Sequence, residues 1–299
     1  MSGTFSVLDS AHANWNGGSL FLYVDGHKQD PVSLSVDAPQ SWTIVNGDVT
    51  QPGQRQFHFP NYDLLIDSPT EVAPAGSLSL DSFVVDNRKY RVMVHHHGPP
   101  PSGARERFVR DVERIVRYEN SVFGPPPLAQ YTFLFNIGFP GGDGFDGFDY
   151  THEQYEPSLR VAEGWTEYYG RVALHRAGIE DTTAFYRRMA ALIEQKPHDT
   201  FFSYYTKGAG LAAYLDLLLR NRSANAKSLD DAFNNTNMHA WFASHVGGTE
   251  DMDYDEALRW AGLRLVRVQN GPSRIEEAAD ATPAQLKVRL GWITGRRDR

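Results

Sequence analysis

The chain has 299 residues, 41% of them hydrophobic, enough to bury one large core or two modest ones. Its 37 acidic against 29 basic residues leave a net charge of −8, which argues against a nucleic-acid partner, because phosphate binding is driven by clustered Lys and Arg. With no cysteine, disulfides and thiolate metal sites are excluded, and any metal must be held by His, Asp or Glu.

The first hundred residues are short alternating runs: SLFLYVDG, VSLSVDAP, SWTIVNGD, RQFHFPNY, SLDSFVV and RKYRVMVHHH. Alternation rich in Val, Phe, Tyr and Thr, broken by Asp-Gly, Asn-Gly and Pro-Gly, predicts antiparallel strands with one wet face. A β-rich domain is therefore expected over residues 1–97. The stretch HHHGPPPSGARER (95–107) marks its boundary, since Pro and Gly deny the backbone a regular ladder or helix.

Beyond it the period becomes helical. Phe108, Val112, Ile115, Val116 and Val122 share one face, and Gly124 with three prolines behind it supplies a stop. QYTFLFNI (130–137) predicts a strand that leads into the glycine-rich loop GFPGGDGFDGFDY. Helices are expected near 158–177, 181–195, 203–221, 228–234 and 254–262, with a capping box at Ser228 and Asp231 and a stop at Gly178. A second domain is read over residues 98–265. Residues 266–299 are expected to add one strand and a polar tail. No charged start followed by an apolar run opens the chain, and no run of 18 apolar residues occurs, so neither a signal peptide nor a membrane span is expected. That reading makes the chain cytoplasmic.

Local motifs carry little chemistry. HExxH, which sets two His one helical turn apart with a Glu to activate water, does not occur. The nearest string, His152-Glu153-Gln154-Tyr155-Glu156, runs straight into Pro157 and reads as a surface loop. In the triplet His95-His96-His97, alternation points His95 and His97 the same way; without a nearby carboxylate they read as a solvated strand end. There is no Cys nucleophile and no GxSxG string, and GGDG lacks the Lys-Ser/Thr of a phosphate loop.

The stretch VAEGWTEYYG (161–170) is different in kind. Glu163 and Glu167 are spaced i, i+4 on one helix face, where two like charges cost about a few tenths of a kcal/mol unless something cationic lies near. Further on, SYYTKG (203–208) sets Tyr204 and Tyr205 ahead of a long apolar helix. These strings, with FDYTHEQYEPSLR (148–160), LDLLLR (215–220), SLDDAF (228–233), WFASHVGGTEDMDYDEALRWAGL (241–263), and SLFLYVDG, YDLLIDSPTEV and FGPPPLAQYTFLF upstream, resemble the glycyl aminopeptidase family of zinc metallopeptidases. The resemblance covers most of the chain, in the right order.

It implies an α+β multidomain fold: an N-terminal antiparallel β domain, then a reduced, mainly helical thermolysin-like (gluzincin) domain, with the family's C-terminal PDZ domain absent or truncated. It implies zinc as cofactor, peptides or protein N-termini as partners, and hydrolysis of N-terminal residues by metal-activated water. Carried over by position, Glu163 matches the third zinc ligand. Glu167 matches the acidic residue that orients a metal-ligating His. Tyr205 matches the phenol that stabilises the tetrahedral intermediate. The pattern breaks between Gly142 and Phe148, where the family holds an edge strand and the HExxH helix; five residues stand there instead. One carboxylate cannot hold a catalytic zinc, which needs three protein ligands and an open position. The expectation is a family relative without hydrolytic activity, and its rival is a peptide-binding or scaffold protein using the same cleft.

Overall fold

The computed structural model describes residues 6–47, 53–96, 98, 101–137, 159–194, 204–232, 252–268 and 271–298. The HEQYE string, His97 and the glycine-rich loop at 138–150 lie outside these. The chain divides into two compact units, residues 1–113 with 125–148, and residues 114–124 with 149–299.

In the first unit, β1 (Val7–Leu8), β2 (Ala13–Trp15), β6 (Thr70–Pro74) and β4 (Trp42–Asn46) make an antiparallel sheet in the order β1-β2-β6-β4. β3 (Val32–Ser35) and β5 (Gln56–Phe59) pair separately. The short helix α1 (Tyr62–Ile66) opens on Asn61, whose side chain caps the Leu64 amide. Ile44, Phe57, Phe59, Tyr62, Leu65 and Val72 form the core between these pieces. SLFLYVDG is not a strand: Leu22 is 95% exposed, and its neighbour Phe21 accepts a hydrogen bond at its carbonyl from the Tyr62 hydroxyl over 2.7 Å. Alternation was present there, but no neighbouring strand offered a ladder.

A second sheet orders β7 (Leu78–Val85), β8 (Arg88–His95) and β9 (Gln130–Asn136). The first pair is an antiparallel hairpin whose turn residues Asp86 and Asn87 both have positive φ (49° and 58°), the two-residue turn that matches strand twist. β9 instead pairs parallel to β8. The long helix α2 (Ala104–Phe123) carries the chain back between them, the crossover that a parallel pair requires. Val112 and Val116 of α2 are buried, as its periodicity predicts, and Gly124 ends it at φ 81°.

The second unit is mainly helical: α3 (Leu159–Arg176), α4 (Thr182–Ile193), α5 (Tyr204–Arg222), α6 (Leu229–Ala232), α7 (Tyr254–Trp260) and α8 (Pro283–Thr294), with a hairpin of β10 (Leu263–Val266) and β11 (Arg274–Glu277). The α+β expectation, an antiparallel β-rich N-terminal part followed by a mainly helical one, is met. The C-terminal residues, however, form a strand and a helix rather than a strand and a tail. Thr282 and Gln285 cap α8 reciprocally, Pro283 stands at its first turn, and Gly295 closes it at φ 74°. Trp292 on α8 is completely buried against Phe185 of α4, which explains why the segment orders. Among the described residues, no helix is long and apolar enough to cross a membrane.

Candidate functional site

VAEGWTEYYG lies within α3, and its three aromatic side chains are accounted for by packing. Trp165, Tyr168 and Tyr169 are buried in the core of the helical unit, together with Phe185, Met189, Leu215 and Leu258. The Tyr168 hydroxyl donates to Asp216 Oδ2 at 2.7 Å and accepts from Trp292 Nε1 at 3.1 Å. Tyr169 donates to Asp230 at 2.8 Å. Burial pushes both phenols far above their ordinary range, with the Asp216 and Asp230 carboxylates adding to it. Neither is a proton donor near neutral pH.

Gly164 has another task. A Cβ there would stand 2.2 Å from the Gly208 Cα of α5, so the two backbones touch at this level. A Cβ at position 164 would not permit that approach. The contact brings the first turn of α5, which carries Tyr205, onto the first turns of α3, which carry Glu163. Tyr205 is 47% exposed and Glu163 is half-buried.

Glu167 is on the same face of α3 as Glu163, one turn on. Arg171, a further turn along, donates to its Oε1 from Nε at 2.9 Å and from Nη2 at 2.5 Å. This is an arginine-bound surface carboxylate; no described histidine takes the place that the resemblance implied. A zinc ion therefore does not fit at Glu163 with the described residues: neither Glu163 nor Glu167 belongs to a group of three metal-capable side chains among them. The sequence contains no HExxH to supply the rest.

The one such group among the described residues is elsewhere, in the N-terminal unit, and sequence reading missed it. His12, Glu71 and His95 present ligand atoms that all lie within 4.8 Å of one another. The expectation that His95 is a solvated strand end is wrong: it is 2% exposed. It stands at the last position of β8, where β7 and β9 flank it and β6 supplies the carboxylate that the sequence did not place nearby. Its Nδ1 is 2.9 Å from Glu71 Oε1, and its ring centroid is 4.9 Å from that of His12. Glu71, the second residue of β6, is fully buried, and burial pushes its carboxyl up to about 7 despite hydrogen bonds from Asn14 and Asn136. A glutamate inside the apolar run TEVAP was the signal available in the sequence.

Comparison with known proteins follows the same outline. A sequence model of the Peptidase M61 N-terminal domain matches residues 1–74, and one of M61 glycyl aminopeptidase matches residues 130–201. Both bear out the resemblance drawn from the motifs. Among solved structures, an aminopeptidase N family protein from Idiomarina loihiensis is similar at 20% identity and a TM-score of 0.68, over 87% of this chain and 63% of that one. The chain thus spans less than two thirds of that protein, and the likeness is one of fold. An M1 zinc metallopeptidase from Deinococcus radiodurans aligns at 15% identity with a TM-score of 0.45, over 99% of this chain and 72% of its own. No curated protein matches.

Proposed function

We propose that this relative of the glycyl aminopeptidases keeps the peptide-engaging part of its ancestral site and lacks the hydrolytic part. The observation that carries the reading is the Glu163 position: a half-buried carboxylate on α3, held at a glycine crossing beside the Tyr205 turn of α5, in a sequence without HExxH. A zinc peptidase needs three protein ligands, a bound water and a base; Glu163 alone supplies one ligand. A carboxylate on α3 and a phenol on the adjoining first turn of α5 still suit a peptide N-terminus, because the first attracts an ammonium and the second hydrogen-bonds a carbonyl.

The partners on this reading are peptides or protein N-termini, and zinc is the family's cofactor without being held at Glu163. The test is direct. Supplied with zinc and a glycyl or alanyl anilide, the full chain should release no aniline above the buffer rate, while a glycyl peptide should bind it, and bind Glu163→Ala at least tenfold more weakly. Zinc-dependent release that disappears in Glu163→Ala would establish the opposite, an intact peptidase.

A further inference from the structure

We propose that His12, Glu71 and His95 hold one divalent transition-metal ion inside the N-terminal β unit. Two imidazoles and one carboxylate are a zinc-type donor set, and any such site in a cysteine-free chain must be built this way. The proposal does not rest on the aminopeptidase reading, since none of the three residues belongs to VAEGWTEYYG or SYYTKG, the strings that carry Glu163 and Tyr205.

The fold assembles the set from three segments far apart in the chain. His12 stands one residue before β2, on the same face as Asn14, which is cross-strand partner to Glu71 of β6; His95 ends β8 in the second sheet. All three are buried, at 1%, 0% and 2% exposure. Ligands about 2.1 Å from a shared ion lie at most about 4.2 Å apart, so donor atoms already within 4.8 Å need only a small side-chain rotation.

The groups around the set act as orienting partners do in metal sites. Glu71 Oε2 accepts from Asn14 Nδ2 at 3.0 Å, and Asn136, which lies opposite His95 in the parallel pairing, also hydrogen-bonds the Glu71 carboxylate. Both amides fix the plane of the carboxylate and leave Oε1 toward His95. Asp9 Oδ1, itself held by the backbone amides of Ala11 at 2.7 Å and His12 at 2.9 Å, lies 3.4 Å from His12 Nδ1. A carboxylate beside a ligating imidazole is the kind of neighbour that orients such a ring in metal sites. Two sheets of one unit would be pinned together at a point where each otherwise contributes a buried polar group.

The experiment strips the full chain with a chelator and titrates it with cobalt(II), then measures zinc by elemental analysis after re-addition. The expected result is one metal per chain, with the intense visible absorption of a four-coordinate cobalt site and a raised melting temperature. Glu71→Gln and His95→Gln should abolish the absorption while far-UV circular dichroism shows a folded chain. Asn14→Ala should weaken affinity about 10- to 100-fold without abolishing it. His96→Ala and Glu163→Gln should change neither, which separates the site from the neighbouring, partly exposed His96 and from the ancestral peptidase position. Absence of the cobalt band in the wild-type chain, or its persistence in folded Glu71→Gln, overturns the proposal.

Discussion

The Tyr168 hydroxyl donates to Asp216 across 2.7 Å in the interior of the helical unit, and Asp216 is the point on which its buried polar groups converge. Arg220 Nε reaches Asp216 Oδ1 at 3.0 Å, Arg176 Nη2 lies 3.5 Å from Oδ2, and the Leu229 amide donates to Oδ1 at 2.9 Å. Arg176 also donates to the Trp292 carbonyl at 2.8 Å and to the Tyr118 hydroxyl at 2.7 Å. One carboxylate thus ties α3, α5 and α6 together, and its partners Arg176 and Tyr168 extend the network to Trp292 of α8. Asp216→Ala leaves two buried guanidinium groups without their counter-charge and should cost about 3–5 kcal/mol in denaturant unfolding. A loss under about 1 kcal/mol would show that the network is not holding the helices.

The same residue gives a pH dependence. Burial alone would raise the Asp216 carboxyl, but Arg220, then Arg176, the Leu229 amide and Tyr168 outweigh it and hold the group below its ordinary 3.8. A depressed folded value contributes stability that is fully present above the unfolded value and is lost as pH falls through the folded one. Unfolding free energy should therefore fall on acidification below about pH 4, with Asp216→Asn less stable at neutral pH and shallower in its acid decline. Parallel acid profiles for the two chains would contradict the assignment.

At the crossing of α3 and α5, Gly164→Ala should destabilise by about 3 kcal/mol, because the added methyl meets the Gly208 backbone, which cannot rotate away. Gly170→Ala is the matched control on the same helix: its Cβ meets nothing, so the change should stabilise by about 0.5–1 kcal/mol through helix propensity. Equal effects at both positions, read from melting curves, would remove the close crossing as the reason for Gly164.

Trp292 is wholly buried, and Trp292→Ala should cost about 3–5 kcal/mol and unfold the helical unit as a whole. Loss of α8 helicity alone, with the rest of the unit intact by hydrogen exchange, would mean that the C-terminal segment is an appendage.

Glu167→Gln should change stability by less than about 1 kcal/mol, since its Arg171 partner is a partly exposed i, i+4 pair. A larger loss in thermal unfolding would show that Glu167 does more than pair with Arg171.

The helices of the second unit could be read from sequence because their signals are local: apolar spacing on one face, Gly124 and Gly178 as stops, Asp231 accepting the Ser228 amide at 2.8 Å as the capping box requires. The same kind of signal stood at Thr282, Pro283 and Gln285, where α8 begins, although the sequence reading gave a tail there. SLFLYVDG had the alternation of a strand and lacked a partner, and a ladder is a property of two segments. Strand direction was likewise hidden in β9, whose parallel pairing depends on where α2 returns the chain.

Family resemblance was legible because motifs are contiguous, and so was the absence of HExxH, which is a fact of residue order. Sequence by itself thus determined the family resemblance, the helical period and the absence of an HExxH string. What only the tertiary structure decided is the meeting of His12, Glu71 and His95, and the role of Gly164 beside Glu163. Both depend on distances between segments far apart in the chain, and those distances are set by sheet register and helix crossing, which no local run of residues encodes.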